Sequence, residues 1–233
     1  MSRIRNLLIC LFLCCQLAGA QVRFVSLLPD TDATVTFGSC REQLSYLEET
    51  PYLDLESGVY PLRVSLKGEE LLAKRLGFGE EERALVVILG HRGVSPPTGF
   101  LHRLRAHFEG QGHAFKENYA VQAAVLRGSA YLDPKKAYLR VFHGASATVP
   151  LTVHSGSQKA SVNYAQATDF LPLEPGKRQI EISPQGLSAP ITSRSLDLQA
   201  GTTTYIFLAR DNMGKGKLET LIFIDPPSER KDR

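Results

Sequence analysis

One stretch of this chain is written twice. Tyr46 to Ser65 aligns without a gap on Tyr164 to Ser183, at an offset of 118 residues, and Tyr, Thr, two Leu, Glu, Gly and Ser are identical at matched positions. Solenoid repeats run about 20–50 residues, so a repeat of domain length means two copies of one fold. A duplicated small β module is more often a binding or scaffolding part than an enzyme, although fold alone does not settle function.

The first residues have the pattern of a secretory signal. Arg3 and Arg5 supply the positive start, Leu7 to Leu17 the apolar run, and Ala18-Gly19-Ala20 the small-residue cleavage site. The run is too short for a helix of about 20 residues that spans a bilayer. The expected organisation is therefore a signal peptide over 1–20, a first β-sandwich over 21–132 and a linker over 133–137. A second β-sandwich over 138–227 and a polar tail over 228–233 complete it. The mature chain is expected in the periplasm and not to span the membrane.

Of the four cysteines, Cys10, Cys14 and Cys15 lie in the signal, which leaves Cys40 alone. An exported chain with one cysteine has no internal disulfide to lean on, so apolar burial must hold each half together. Cys40 reads as a small hydrophobe near a turn. The formal charge of +3 includes Arg3 and Arg5, so the mature chain is close to neutral. Nothing in that balance pulls the protein toward nucleic acid or anionic lipid.

Short alternating or apolar runs separated by turn residues fill the remainder. Arg23–Leu27, Ala33–Phe37, Tyr52–Leu55, Pro61–Leu66, Ala84–Leu89 and Tyr119–Leu126 read as strands of the first copy. Leu139–His143, Pro150–His154, Phe170–Leu173, Gln179–Ile182, Thr204–Leu208 and Glu219–Ile224 read as strands of the second. Ala84–Leu89 and Thr204–Leu208 are apolar throughout, as central strands buried on both faces should be. Gly58 and Gly176 fall between apolar-alternating runs and read as turn positions with positive φ. Strands at this spacing, with Gly and Pro turns and little helical periodicity, predict an all-β protein. Two tandem immunoglobulin-like β-sandwiches of about seven strands each are expected.

The copies differ in one place. Between the runs that end at Leu89 and begin at Tyr119, the first copy carries a long insertion, residues 90–118; the matching connection in the second copy is short. Long connections without structure of their own usually have a use or are disordered. Arg92, Phe100, His102, Arg103, Arg105, His107 and Phe108 combine guanidinium and imidazole donors with aromatic faces, which suits acidic polymers or a protein partner. The plainer reading is a solvated basic loop.

Other motifs point away from catalysis. There is no Gly-x-Ser-x-Gly elbow, P-loop or dinucleotide fingerprint. Ser146 reads as a turn serine. His102, His107 and His113 match no zinc-ligand spacing, and His143 and His154 read as surface histidines on strands. No cofactor, metal or catalytic residue is expected.

Two resemblances rest on these motifs. The segment from Leu139-Arg-Val-Phe-His-Gly-Ala-Ser146 through Phe223-Ile-Asp225 resembles a widespread exported β-sandwich domain of unknown function that often occurs in tandem. The Tyr164 to Gly176 phrase and the Leu198 to Tyr205 phrase belong to that likeness. The whole arrangement, with Lys135–Val141 at its junction, also resembles AlgF-type periplasmic accessory proteins of exopolysaccharide O-acetylation. That resemblance implies a non-enzymatic partner of acetyltransferase machinery, with alginate-like or cellulose-like polymers as substrate, and docking to that machinery or to an acidic polysaccharide is expected. A generic cell-envelope or adhesion module is the alternative, and a hydrolase or esterase the third.

Overall fold

In both copies, period-two alternation decides which face of each strand is buried. The structure, a computed structural model, describes residues 19–29, 32–94, 119–128, 132–146, 148–210 and 216–226. Its first half contains β1 (Ala20–Ser26), β2 (Ala33–Phe37), β3 (Cys40–Leu44), β4 (Glu48–Glu49), β5 (Leu53–Leu55), β6 (Gly58–Leu66), β7 (Glu69–Phe78), β8 (Arg83–Leu89) and β9 (Gln122–Arg127). The second contains β10 (Ala137–His143), β11 (Leu151–Ser155), β12 (Gln158–Val162), β13 (Gln166–Ala167), β14 (Leu171–Leu173), β15 (Gly176–Pro184), β16 (Thr192–Leu198), β17 (Thr203–Arg210) and β18 (Leu218–Asp225). The fold is all-β, with two sandwich modules.

The two modules share one topology. In the first, β1 is flanked by β8 and by β4 and β5, with β9 beyond β8, and β3-β2-β6-β7 forms the second sheet. In the second, β10, β17, β13, β14 and β18 repeat the first arrangement and β12-β11-β15-β16 the other. β1 runs parallel to β8, and β10 parallel to β17. Among the described residues each half has nine strands, where about seven were expected. The strands missed by sequence are the polar edge partners, such as β3, β12 and β16, whose exposed faces carry no apolar rhythm.

The repeated block is explained by the junctions it builds. Between β4 and β5 the ladder to β1 breaks, and buried Thr50 bridges the gap. Its Oγ1 accepts from the Phe24 N–H at 3.0 Å and its own N–H donates to the Phe24 carbonyl at 3.0 Å. Thr168 does the same for Val141, at 3.1 and 2.9 Å. Just before, Leu47 and Ala165 sit at φ 58° and 59°, and their N–H groups donate to the carbonyls of Ser26 and His143. Positive φ is uncommon for residues with a Cβ and needs such anchoring. Gly176 has the positive φ expected, 103°, whereas Gly58 does not and simply opens β6.

Each module has its own core. Phe24, Phe37, Leu62, Val64, Val86 and Ile88 lead the first, and Leu139, Val141, Val153, Ile182, Ile206 and Leu208 the second. The expectation that each half buries only its own sheets is incomplete, because a third apolar layer lies between them. In β8, Ala84, Val86 and Ile88 face the first core while Leu85, Val87 and Leu89 face the other module. In β17, Ile206 and Leu208 face the second core while Tyr205, Phe207 and Ala209 face back. That is why β8 and β17 read as continuous apolar runs. The β1 and β10 sheets are the two inner layers of a four-sheet stack. Residues 133–137 are not a free tether: Ala137 is fully buried in β10, and the Asp133 N–H donates to the Tyr138 hydroxyl at 2.8 Å.

Candidate functional site

The junction between the modules gathers buried polar groups at its two rims. At one rim, the start of β8 meets the end of β18. Arg83 Nη2 donates to Asp225 Oδ1 at 2.8 Å, Arg83 Nη1 to the Pro226 carbonyl at 2.9 Å, and the Tyr52 hydroxyl to Asp225 Oδ2 at 3.0 Å. The Arg83 and Arg23 guanidinium groups stand 4.2 and 4.4 Å from the Tyr52 ring centre. Arg23 also faces Phe223 at 5.0 Å and pairs with Glu49 at 3.4 Å. Burial pushes the Asp225 carboxyl up, with Arg83 pulling the other way, and burial likewise raises Glu49 and the Tyr52 hydroxyl. Farther along the junction, Arg140 Nη1 donates to the Arg127 carbonyl at 2.7 Å while its guanidinium lies 4.5 Å from the Phe170 ring. A buried ion pair is weak evidence for net stability, but losing one partner leaves the other charge uncompensated. These groups fix how the modules sit together.

At the opposite rim, the insertion leaves and returns. Gly90 has φ 117°, and a Cβ there would lie 2.3 Å from the Ala120 carbonyl oxygen, so only glycine allows the two ends to approach. The His91 N–H donates to the Tyr119 carbonyl at 2.7 Å. His91 Nε2 lies 2.6 Å from Ser146 Oγ, joining the first module to the second. Burial lowers the basicity of His91.

A serine and a neutral imidazole at this distance have the spacing of a nucleophile and its general base. A nucleophile must also be reachable, and Ser146 is 1% exposed. The contact closes the rim and offers no attacking oxygen to solvent.

His143 corrects the reading of a surface histidine. It is fully buried at the end of β10, on the side of the strand that carries Leu139 and Val141, and burial lowers its pKa to about 4, with Arg210 adding to the effect. Its Nε2 donates to the Val149 carbonyl at 3.3 Å, while Nδ1 has no hydrogen-bond partner among the described residues. The His143 and Tyr119 rings stand edge-on to Tyr164, at 6.0 and 5.1 Å.

Of the insertion residues singled out by sequence, Arg92 is described. It is half-exposed and pairs with Glu69 at 2.7 Å, so it is not an isolated cation. Phe100, His102, Arg103, Arg105, His107 and Phe108 lie outside the described residues, as does His113. Cys40 is half-buried at the start of β3 with a free thiol. Among the described residues no group of three or more His, Cys, Asp or Glu is placed to hold a metal ion. Sequence reasoning missed His91, Arg83 and Asp225, since their partners lie 55 and 142 residues away along the chain. The available signal was Phe223-Ile-Asp-Pro226, which echoes Tyr131-Leu-Asp-Pro134 at the end of the first copy.

Comparison with known proteins agrees with the second half. No curated protein matches the chain. A crystal structure of a candidate cell adhesion protein from Bacteroides ovatus is 10% identical, covering 92% of this chain and 100% of that one. Its TM-score of 0.26 marks a superposition too loose to bear on fold or function. Residues 137–232 match the family described as "Domain of unknown function (DUF4397)", and the first half, which that match does not reach, repeats the same strand order.

Proposed function

We propose that this chain is an exported, non-enzymatic accessory protein of the cell envelope that assists exopolysaccharide modification, with O-acetylation as the leading reaction. It works by docking to acetyltransferase machinery and to acidic polymer. The observation that carries the reading is the junction. Three apolar layers lock four sheets into one block, and the ends of the β8–β9 connection are pinned together at Gly90, His91 and Tyr119. Such a block holds surfaces in fixed relation, which is what a scaffold requires. The signal-like start and the resemblance of the whole arrangement to AlgF-type proteins supply the compartment and the polymer.

Deleting the gene and measuring acetyl groups on the secreted polymer tests this. Loss of acetylation with polymer still made supports it, particularly if the purified protein releases no acetate from acetylated polymer. Unchanged acetylation overturns it and leaves the generic envelope or adhesion module. The His91–Ser146 contact is the one observation that favours a hydrolase. Acetate release abolished by Ser146→Ala in a folded variant would establish that reading instead.

A further inference from the structure

The outer sheet of the first module presents a face that no sequence motif marks. Leu62, Val64 and Leu76 point into the core, so alternate residues point away from it. Three of those are arginines on three strands: Arg41 on β3, Arg63 on β6 and Arg75 on β7. Thr36 pairs with both Arg41 and Arg63, which places the two guanidinium stems on strands two apart in one cross-strand row. At the usual strand spacing that is about 10 Å. Arg63 pairs with Ala73 and Arg75 with Pro61, so those two arginines are diagonal neighbours, about 7–8 Å apart at the backbone.

All three side chains are on exposed positions. The carboxylate that answers them is Glu70, whose Oε2 lies 3.8 Å from Arg63 Nε in a pair more than half exposed on both sides. Such a pair is worth little and opens readily. Thr34, Thr36, Gln43 and Ser65 fill the outward positions between the arginines and supply hydroxyl and amide groups. The second module makes the same face with different chemistry. At the matching registers it holds Lys159, Glu181 and Ser195, so the positive row is confined to the first.

We infer that the outward face of β3-β2-β6-β7 binds a carboxylate-bearing polysaccharide laid across the strands. Arg41, Arg63 and Arg75 take successive carboxylates, and the Thr, Ser and Gln side chains meet sugar hydroxyls. This deepens the proposed function and rests on its acidic-polymer partner. Guanidinium forks match carboxylates bidentately, and a flat row of them spaced across strands fits a linear anionic chain. A membrane-binding face would carry aromatic or long apolar anchors with lysines, and a nucleic-acid face would carry stacking rings. The outward positions of these strands hold no aromatic residue.

The test is binding of the purified full chain to alginate by affinity electrophoresis, with dextran, DNA and phosphatidylglycerol vesicles alongside. The expected result is selective retardation by alginate. The triple variant R41A/R63A/R75A, checked for an unchanged melting temperature, should bind at least about tenfold more weakly; Lys159→Ala on the second module should bind as before. Should the triple variant fail to fold, R41K/R63K/R75K keeps the charge and removes the fork, and a several-fold loss is expected. Equal binding to DNA or vesicles would reduce the face to general polyanion attraction and overturn the inference. Alginate binding that survives the triple variant would overturn it too, while leaving an acidic-polymer partner in place. Absence of alginate binding together with lost polymer acetylation on gene deletion would sink this inference alone.

Discussion

The two inner faces that meet at the junction began as the same surface and now differ in kind. In the buried part of the layer the first module brings aliphatic side chains, namely Val25, Leu27, Leu85, Val87, Leu89 and Leu126, and its rings Tyr46, Tyr52 and Tyr119 are only partly buried around them. The second brings rings: Phe142, Tyr205, Phe207 and Phe223, with Phe207 and Phe223 stacked at 5.5 Å and Tyr205 against Phe223 at 5.3 Å. The sharpest difference is at one pair of equivalent positions. The Leu27 N–H donates to the Ile88 carbonyl and the Gly144 N–H to the Leu208 carbonyl, so they play one backbone role. Leu27 fills the space that Gly144 leaves open: a Cβ on Gly144 would lie 2.5 Å from Leu27 Cδ1. Positions that shape the backbone, such as Thr50 with Thr168, stayed alike. Most buried positions that touch the other copy differ, with rings on one side filling space left by smaller side chains on the other, while Tyr46 and Tyr164 stayed alike.

Removing a ring should break this comparison most severely. Phe207→Ala takes out a fully buried side chain and is expected to cost about 3–5 kcal/mol. Because the layer is shared, calorimetry should show both modules melting earlier in one transition. A first module that melts as in the parent would mean the halves are independent. Acid comes next. His143 is neutral in the fold with a pKa lowered to about 4, against an ordinary value near 6.5. Its contribution is fully present above the ordinary value and lost as pH falls through the folded one, up to about 3 kcal/mol. The raised carboxyls of Asp225 and Glu49 act in the opposite sense, since they bind protons more readily in the fold. Denaturant titrations between pH 7 and 4 should show a steeper loss for the parent than for His143→Gln; equal slopes would remove the histidine from the account. Gly144→Ala is the smallest, at about 1–3 kcal/mol from crowding. Leu27→Ala in the same chain should recover part of that cost, and the recovery will be incomplete because the Leu208 carbonyl oxygen lies 2.9 Å from the same Cβ. A double-mutant cycle with no coupling would dissociate the two positions.

Much of the fold was legible residue by residue. The Ala33–Phe37 alternation is β2, and the apolar runs at 84–89 and 204–208 are the cores of β8 and β17, buried on both faces. The repeat at 118 residues is a repeat of strand order. Less of the site was legible. His143 sits in an alternating strand like any surface histidine, and it is buried because it shares the inward side of β10 with Leu139 and Val141, beneath Tyr164 and the Val149 carbonyl. Ser146 looks like a turn serine until His91 arrives from the other half. The arginines 41, 63 and 75 are scattered in sequence and form a row only through strand pairing.

Local order was set by the chain alone: where strands alternate, where Thr and Gly make turns, and that two copies of one sandwich follow each other. These depend on side-chain period and backbone sterics over a few residues, which a sequence displays directly. That the copies share a third core, that a strand histidine is buried and that three arginines form a row were decided by the tertiary structure. Each depends on which distant surfaces become neighbours, and burial and charge proximity exist only after that choice is made.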